Sequence, residues 1–119
     1  MSDTSKNLYK KLLGIKGERL TIKYLKKQGY KILEKNYSVS FGEVDIIAKK
    51  DNVILFVEVK TRTSTRFGTP SQAVGYNKQH KYKQIALLYM QKKGLEDYVL
   101  SFAVSEVLNG EINFINEAF

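Results

Sequence analysis

The stretch from Gly42 to Arg62, GEVDIIAKKDNVILFVEVKTR, constrains everything else the chain can do. Val53 to Val57 is apolar without a break, the pattern of a strand covered on both faces. That run ends in Glu58, Val59 and Lys60, and the preceding run, Val44 to Ala48, is apolar apart from Asp45. An unpaired buried ion costs several kcal/mol even after relaxation. Charges set into such strands must therefore be paired, metal-bound or placed at the edge of a cleft.

The turn between the runs sets a register. With Asp51-Asn52 as a two-residue hairpin loop, Lys50 faces Val53. The same register puts Asp45 opposite Glu58 and Glu43 opposite Lys60. Directly opposed residues share a face, and a period of two keeps Glu43 with Asp45 and Glu58 with Lys60. The expectation is that all four side chains converge at one end of the hairpin.

Two close carboxylates repel unless a cation lies between them. Oxygen ligands suit hard ions such as magnesium or manganese. A lysine two residues beyond the second acid adds a movable positive charge. Together these groups would position a water, polarise a phosphate and stabilise charge developing in a phosphoryl transition state. The plain alternative is a surface aspartate and a cross-strand Glu–Lys ion pair.

Asp45, twelve intervening residues, then Glu58-Val59-Lys60 resembles the PD-(D/E)XK nuclease motif. The wider pattern is more specific. Gly17-Glu18, Gly29-Tyr30, Asn36, Gly42-Glu43-Val44-Asp45, Phe56 to Lys60, Arg62, Phe67-Gly68, Ala73-Val74, Lys78 and Ala118-Phe119 resemble the YraN family of small bacterial proteins. The resemblance spans nearly the whole chain. It implies a restriction-endonuclease-like fold related to archaeal Holliday-junction resolvases, and a metal-dependent nuclease. The chain departs from the pattern in two places. Ser101-Phe102-Ala103 stands where the family often has Arg-Phe-Asp, and Thr21 where an alanine is common.

With 119 residues the chain is expected to form one domain over 1–119, with a real core. The net charge of +8 is unevenly spread: all 20 Lys and Arg lie at or before Lys93. No acid occurs between Glu58 and Glu96, whereas the residues after Lys93 carry acids and no base. Such a surface suits a polyanion such as nucleic acid, although lysine-rich surfaces also serve solubility alone. The absence of cysteine excludes disulfides, thiolate zinc sites and a cysteine nucleophile. The single histidine, His80, sits among lysines and is expected to face solvent, which leaves carboxylate–metal chemistry. No apolar run approaches membrane-spanning length, and the N-terminus lacks a leader-like apolar segment, so a cytoplasmic protein is expected.

Along the chain, residues 1–6 are expected to fray. A helix is predicted over Asn7 to Gln28, ended by Gly29. Its second half carries a stripe of Gly14, Glu18, Thr21, Ile22 and Leu25, with Glu18 at its centre and turned toward the sheet. That makes Glu18 a candidate third carboxylate. The resemblance agrees, because related resolvases carry a catalytic glutamate on the first helix; an ion pair with Lys11 or Lys23 is the alternative. A strand follows over Tyr30 to Val39. The segment 63–68, polar and basic, leaves the catalytic strand directly, so Arg62 and Arg66 are placed to touch nucleic acid backbone, an ordinary connector being the alternative.

Thr69-Pro70-Ser71-Gln72 reads as a helix start, and the helix is expected to run on to Lys93 with a kink at Gly75. Ile85, Leu87 and Leu88 are its expected core contacts. Gln72 and Tyr76 resemble a Gln-x-x-x-Tyr motif of some exonucleases, though a cap also explains Gln72. Lys78 is a candidate nucleic-acid contact. Tyr98 to Val107 and Glu111 to Ile115 form a last hairpin around Asn109-Gly110.

The order helix, strand, hairpin, helix, hairpin predicts a small α/β domain, a mixed sheet flanked by helices. The expected function is a magnesium- or manganese-dependent phosphodiesterase acting on nucleic acid, with DNA as the expected substrate and branched or junction DNA as one class of it. Asp45 and Glu58 would bind the metal, aided by the Val59 carbonyl, and Lys60 and Glu18 would assist, with Glu43 and Gln72 as further neighbours. Junction cutting takes two nicks and would favour a homodimer. The rivals are a non-catalytic nucleic-acid-binding accessory module and a protein-interaction domain using the acidic C-terminal segment.

Overall fold

A computed structural model describes residues 3–62 and 74–119. Helix α1 (Asp3–Lys27) is followed by strands β1 (Lys31–Val39), β2 (Gly42–Lys50) and β3 (Val53–Arg62). Helix α2 (Tyr76–Lys92) then leads to β4 (Val99–Leu108) and β5 (Glu111–Ile115). The five strands form one sheet in chain order. Every neighbouring pair is antiparallel except β3 and β4, which run parallel. A parallel pair needs a crossover of a dozen residues or more, and α2 lies in that connection. The mixed α/β sheet expected from the sequence is the fold observed. Among the described residues, no helix is long and apolar enough to cross a membrane.

The two helices cover opposite faces. On one side Leu25 of α1 packs with Ile46, Ala48, Leu55, Val57 and Ala103. On the other Tyr82, Ile85, Ala86, Tyr89 and Met90 of α2 pack with Val44, Ile47, Ile54, Phe56 and Phe102. Ile54 to Val57 of β3 feeds both clusters and is buried throughout, as an unbroken apolar strand requires. In α2 the core positions differ from the expected ones. Leu87 and Leu88 are 62% and 50% exposed, while Tyr82 and Tyr89 turn inward with Ile85. A helix buries one stripe, and the aromatic rings at the one-turn spacing of Ile85 outweigh two leucines outside it.

Local signals account for most boundaries. Gly29 takes φ +94°, Tyr30 N–H donates to the Leu25 carbonyl, and α1 ends in a left-handed cap. At the other end α1 begins earlier than expected, at Asp3, because neither Pro nor Gly interrupts the first turns. In the first hairpin Asp51 accepts φ +52°, and Lys50 pairs with Val53 as the turn predicts. Asn109 and Gly110 both take positive φ, the requirement of a type I′ turn. Gly75 caps α2 in an extended conformation, so the helix begins at Tyr76 and does not run continuously from Thr69. The capping residues expected at 69–72 lie outside the described residues.

Helix α1 docks closely because position 17 has no side chain. A Cβ there would lie 2.1 Å from Thr61 Oγ1 and 3.4 Å from Thr61 Cβ. One turn on, buried Thr21 hydrogen-bonds the Gly17 carbonyl at 2.8 Å and Ser105 Oγ of β4 at 2.7 Å. Gly→Ala within a helix is ordinarily stabilising. Here Gly17→Ala is expected to destabilise the protein by about 1–3 kcal/mol through overpacking, read by urea or thermal unfolding. Thr61→Ala added to that variant should restore most of the loss.

Candidate active site

The sheet opens where its charges lie. The β2–β3 ladder runs from Lys50↔Val53 to Ile46↔Val57 and stops. The next residues in that register are Asp45 and Glu58. The Val59 N–H donates to Asp45 Oδ2 at 2.8 Å, so a carboxylate takes a backbone donor at the point where the strands part. Alternation along β2 also breaks here. Ile46 packs on the α1 side and Val44 on the α2 side, two residues apart yet on opposite faces. Across the β1–β2 ladder, between Lys35↔Ile46 and Tyr37↔Val44, stands Asn36 with φ +51°. Asp45 thus sits at a local twist, which frees its carboxylate from the apolar core on either face.

Glu58 is only 4% exposed and has three partners, two hydrogen-bond donors and one ion-pair neighbour. Lys78 Nζ of α2 donates to Oε1 at 2.6 Å, and Lys60 Nζ lies 3.4 Å from the same oxygen. Tyr82 OH donates to Oε2. The Asp45 backbone N–H donates in turn to the Tyr82 hydroxyl. One tyrosine therefore ties the Glu58 side chain to the backbone of the strand carrying Asp45.

On the α1 side a cleft of about 340 Å³ is lined by Lys10, Leu13, Gly14, Glu18, Asp45, Val59 and Thr61. The Asn36 side chain hydrogen-bonds Glu18, so the residue with strained backbone also orients the helix carboxylate. A larger groove of about 740 Å³ lies at the other end of β3, around Val53, Val99 and Phe119. Its charged residues, Lys83 and Glu117, are single and opposite in sign, whereas Glu18 and Asp45 both line the smaller cleft.

The electrostatics are those of undercompensated negative charge. Burial and then the charge of Glu58 push Asp45 from its ordinary 3.8 up to about 7, against the Val59 hydrogen bond; Glu18 adds to the rise. Glu18 is raised by burial, offset by Asn36 and Lys35 and reinforced by Glu43. Burial would lower Lys78, but its hydrogen bond to Glu58 and the charges of Glu58 and Asp45 hold it above its usual range.

Among the described residues, no three acidic, histidine or cysteine side chains converge into a complete cation cage. Magnesium does not require one, since it keeps several waters and takes one or two carboxylates from a protein. Half-buried Asp45 and buried Glu58 supply hard oxygen donors of that kind. The residues fit a divalent ion bound at Asp45 and Glu58.

The expected face of four charges is therefore only partly assembled. Lys60 pairs with Glu58 at 3.4 Å, the Glu58 charge acts on Asp45, and Glu18 joins Asp45 from α1. Glu43 does not face Lys60: it is exposed and accepts a 3.0 Å hydrogen bond from Ser38 of β1. The reason is the end of the β2–β3 ladder at Ile46, which turns the first residues of β2 toward β1. Lys78 lies inside the site, against Glu58. Arg62 points into the protein, where its Nε lies 3.4 Å from Glu106 Oε2, the two side chains being 14% and 6% exposed. Gln72 and Arg66 lie outside the described residues, and Tyr76 is 81% exposed. His80 faces solvent as expected. Sequence reasoning missed Tyr82 and the role of Asn36. The spacing of Lys78 and Tyr82, one helical turn apart, was the available signal for the first.

The profile described as "Uncharacterised protein family UPF0102" matches residues 17–107. The chain belongs to the UPF0102 family. A UPF0102 protein of Alkaliphilus metalliredigens is 46% identical over 112 residues, covering 92% of this chain and 98% of the relative. One from Caldanaerobacter subterraneus is 46% identical over 121 residues, 96% and 99% of the two chains. One from Thermodesulfovibrio yellowstonii is 49% identical over 109 residues, 90% and 95%. Glu18, Asp45, Glu58, Lys60 and Lys78 all fall within the span matched to UPF0102.

The two departures from the YraN-like pattern have packing reasons. Thr21 is matched by Ser105, with which it hydrogen-bonds across the α1–β4 interface. Ala103 is fully buried among Leu25, Ile46 and Val57, where an acid would lack solvation.

Because the folded protein raises the Asp45 pKa, the protonated carboxyl is the favoured form in the fold. Stability from this group is complete below pH 3.8 and is lost as pH rises through about 7. In EDTA, Asp45→Asn should therefore match wild type near pH 4 and exceed it at pH 8, by up to about 4 kcal/mol. Thermal unfolding of both proteins across that range measures the difference.

Proposed function

We propose that this UPF0102 protein is a divalent-metal-dependent nuclease that hydrolyses phosphodiester bonds in nucleic acid, with DNA, including branched DNA, as its substrate. The reading rests on one observation above all. Asp45 and Glu58, on neighbouring central strands, come together at the point where those strands part, Glu58 buried and Asp45 half-buried, with the Lys60 ammonium 3.4 Å from Glu58. A purely structural site gains nothing from two such acids. The resemblance to PD-(D/E)XK nucleases supports the same assignment.

Asp45, Glu58 and the Val59 carbonyl would hold magnesium or manganese. The bound ion would supply Lewis acidity toward a phosphate oxygen and make a bound water more acidic. The other roles fall to the chain itself. Lys60, its side chain 29% exposed, presents a positive charge at the mouth of the site to an incoming phosphate. Glu18, raised by its surroundings and lining the same cleft as Asp45, orients the attacking water and takes its proton. Lys10, Lys16 and Arg19, all on α1 and all exposed or at the cleft rim, attract the polyanion. Such a substrate puts the protein's work in the cytoplasm.

A second reading, a nucleic-acid-binding accessory module without catalysis, draws on one observation. Both Glu58 oxygens already have partners in Lys78, Lys60 and Tyr82.

A panel of labelled single-stranded, duplex, flap and four-way-junction DNA separates the two. Each substrate is incubated with manganese, magnesium or EDTA, using wild type and Glu58→Ala purified in parallel. The nuclease reading expects metal-dependent cutting that falls at least about 100-fold in the variant. Salt-sensitive binding without cutting by either protein would favour the module. Equal cutting by both would remove the evidence for this site.

A further inference from the structure

Glu58 carries more positive partners than one buried carboxylate needs. Lys60 and Lys78 both approach Oε1, at 3.4 Å and 2.6 Å, so two ammonium groups crowd a single oxygen. Like charges at that range repel, and the arrangement persists because both are drawn to the same acid. A third partner, Tyr82, holds the other oxygen.

The partners differ in their freedom to leave. Tyr82 is 1% exposed, fixed by its packing beside Phe119 and by the Asp45 backbone N–H donated to its hydroxyl. The Lys78 side chain is 42% exposed, on a flexible stem of four methylenes. It can withdraw into solvent without burying its charge elsewhere. Lys60 belongs to the same strand as Glu58, two residues on and on the same face, and its side chain is less exposed, at 29%. Lys78 and Tyr82 stand one turn apart on the same face of α2. The helix thus offers Glu58 one detachable partner and one permanent partner.

We propose that Lys78 is a resident counter-ion that occupies Glu58 until a divalent cation displaces it, and that Tyr82 is the positioning residue that keeps Glu58 in place through the exchange. The inference rests on the metal-dependent reading and adds to it a displaceable ammonium as part of the centre. It explains how a buried carboxylate avoids standing unpaired before the metal arrives. Once released, the Lys78 ammonium is free to meet a substrate phosphate beside the same site.

The test is manganese binding by isothermal titration calorimetry, without nucleic acid, for wild type, Lys78→Met and Tyr82→Phe. Lys78→Met removes the competitor and should tighten manganese binding by about tenfold or more. Tyr82→Phe keeps the ring but releases Glu58, and should weaken binding by at least about threefold. Opposite signs from two residues one turn apart are the signature, because a general loosening of α2 moves both variants the same way. In wild type, the Lys78 ammonium resonance in nitrogen-15 NMR should be protected in EDTA and exchange freely with saturating magnesium. Manganese binding by wild type with unchanged affinity in Lys78→Met would overturn the counter-ion role and leave the nuclease reading standing. Absence of binding in all three proteins would overturn both. Binding by Lys78→Met alone would support the displacement in its strongest form.

Discussion

A buried and a half-buried carboxylate at the seam between β2 and β3 are the constraint on which the rest of the structure depends. Separately, Asp45 and Glu58 would each be a liability inside a sheet. Together they repel, and the fold answers with partners from several elements: the Val59 amide, the Lys60 and Lys78 ammonium groups, and the Tyr82 hydroxyl. Asp45 nevertheless remains raised to about 7, so the compensation is incomplete. Residual frustration of this kind is common where a protein keeps a site ready for a ligand, and stability is reduced there in exchange for function.

The topology explains why these partners arrive together. A parallel β3–β4 pair forces a crossover, and α2 returns over the face of the sheet on which Glu58 lies. Its Lys78–Tyr82 turn then reaches that residue. Helix α1 covers the opposite face, and its glycine at position 17 lets it settle against Thr61 so that Glu18 reaches the cleft beside Asp45. Asp45, at the twist between the two faces, is the residue both sides share. The site is built from side chains on regular elements, which hold geometry better than loops.

Much of this was legible in the sequence, for physical reasons that can be named. The turn at Asp51-Asn52 fixed the β2–β3 register, and the unbroken run of β3 marked a strand buried on both faces. Gly29 and Asn109-Gly110 marked ends that need positive φ. What was not legible followed from long-range geometry. The ladder ends at Ile46, where the Val59 N–H bonds the Asp45 carboxylate, and Glu43 accepts from Ser38 rather than facing Lys60. The inward face of α2 was misread because Leu87 and Leu88 outrank tyrosine in hydropathy. The sheet instead takes the rings of Tyr82 and Tyr89, whose hydroxyls find Glu58 and Glu34. Lys78 was legible as a candidate nucleic-acid contact, but nothing local reveals that its partner is Glu58, twenty residues earlier on β3.

The central claim is that the Asp45–Glu58 pair forms a divalent-cation site. Crystals of the protein soaked in manganese, with data collected for anomalous scattering, test it most directly. The account predicts a single strong anomalous peak within bonding distance of the Asp45 and Glu58 carboxylates and the Val59 carbonyl. Lys78 Nζ should be drawn away from Glu58 in the same crystal. A map with no peak there at saturating manganese, and with Lys78 still hydrogen-bonded to Glu58, would contradict it.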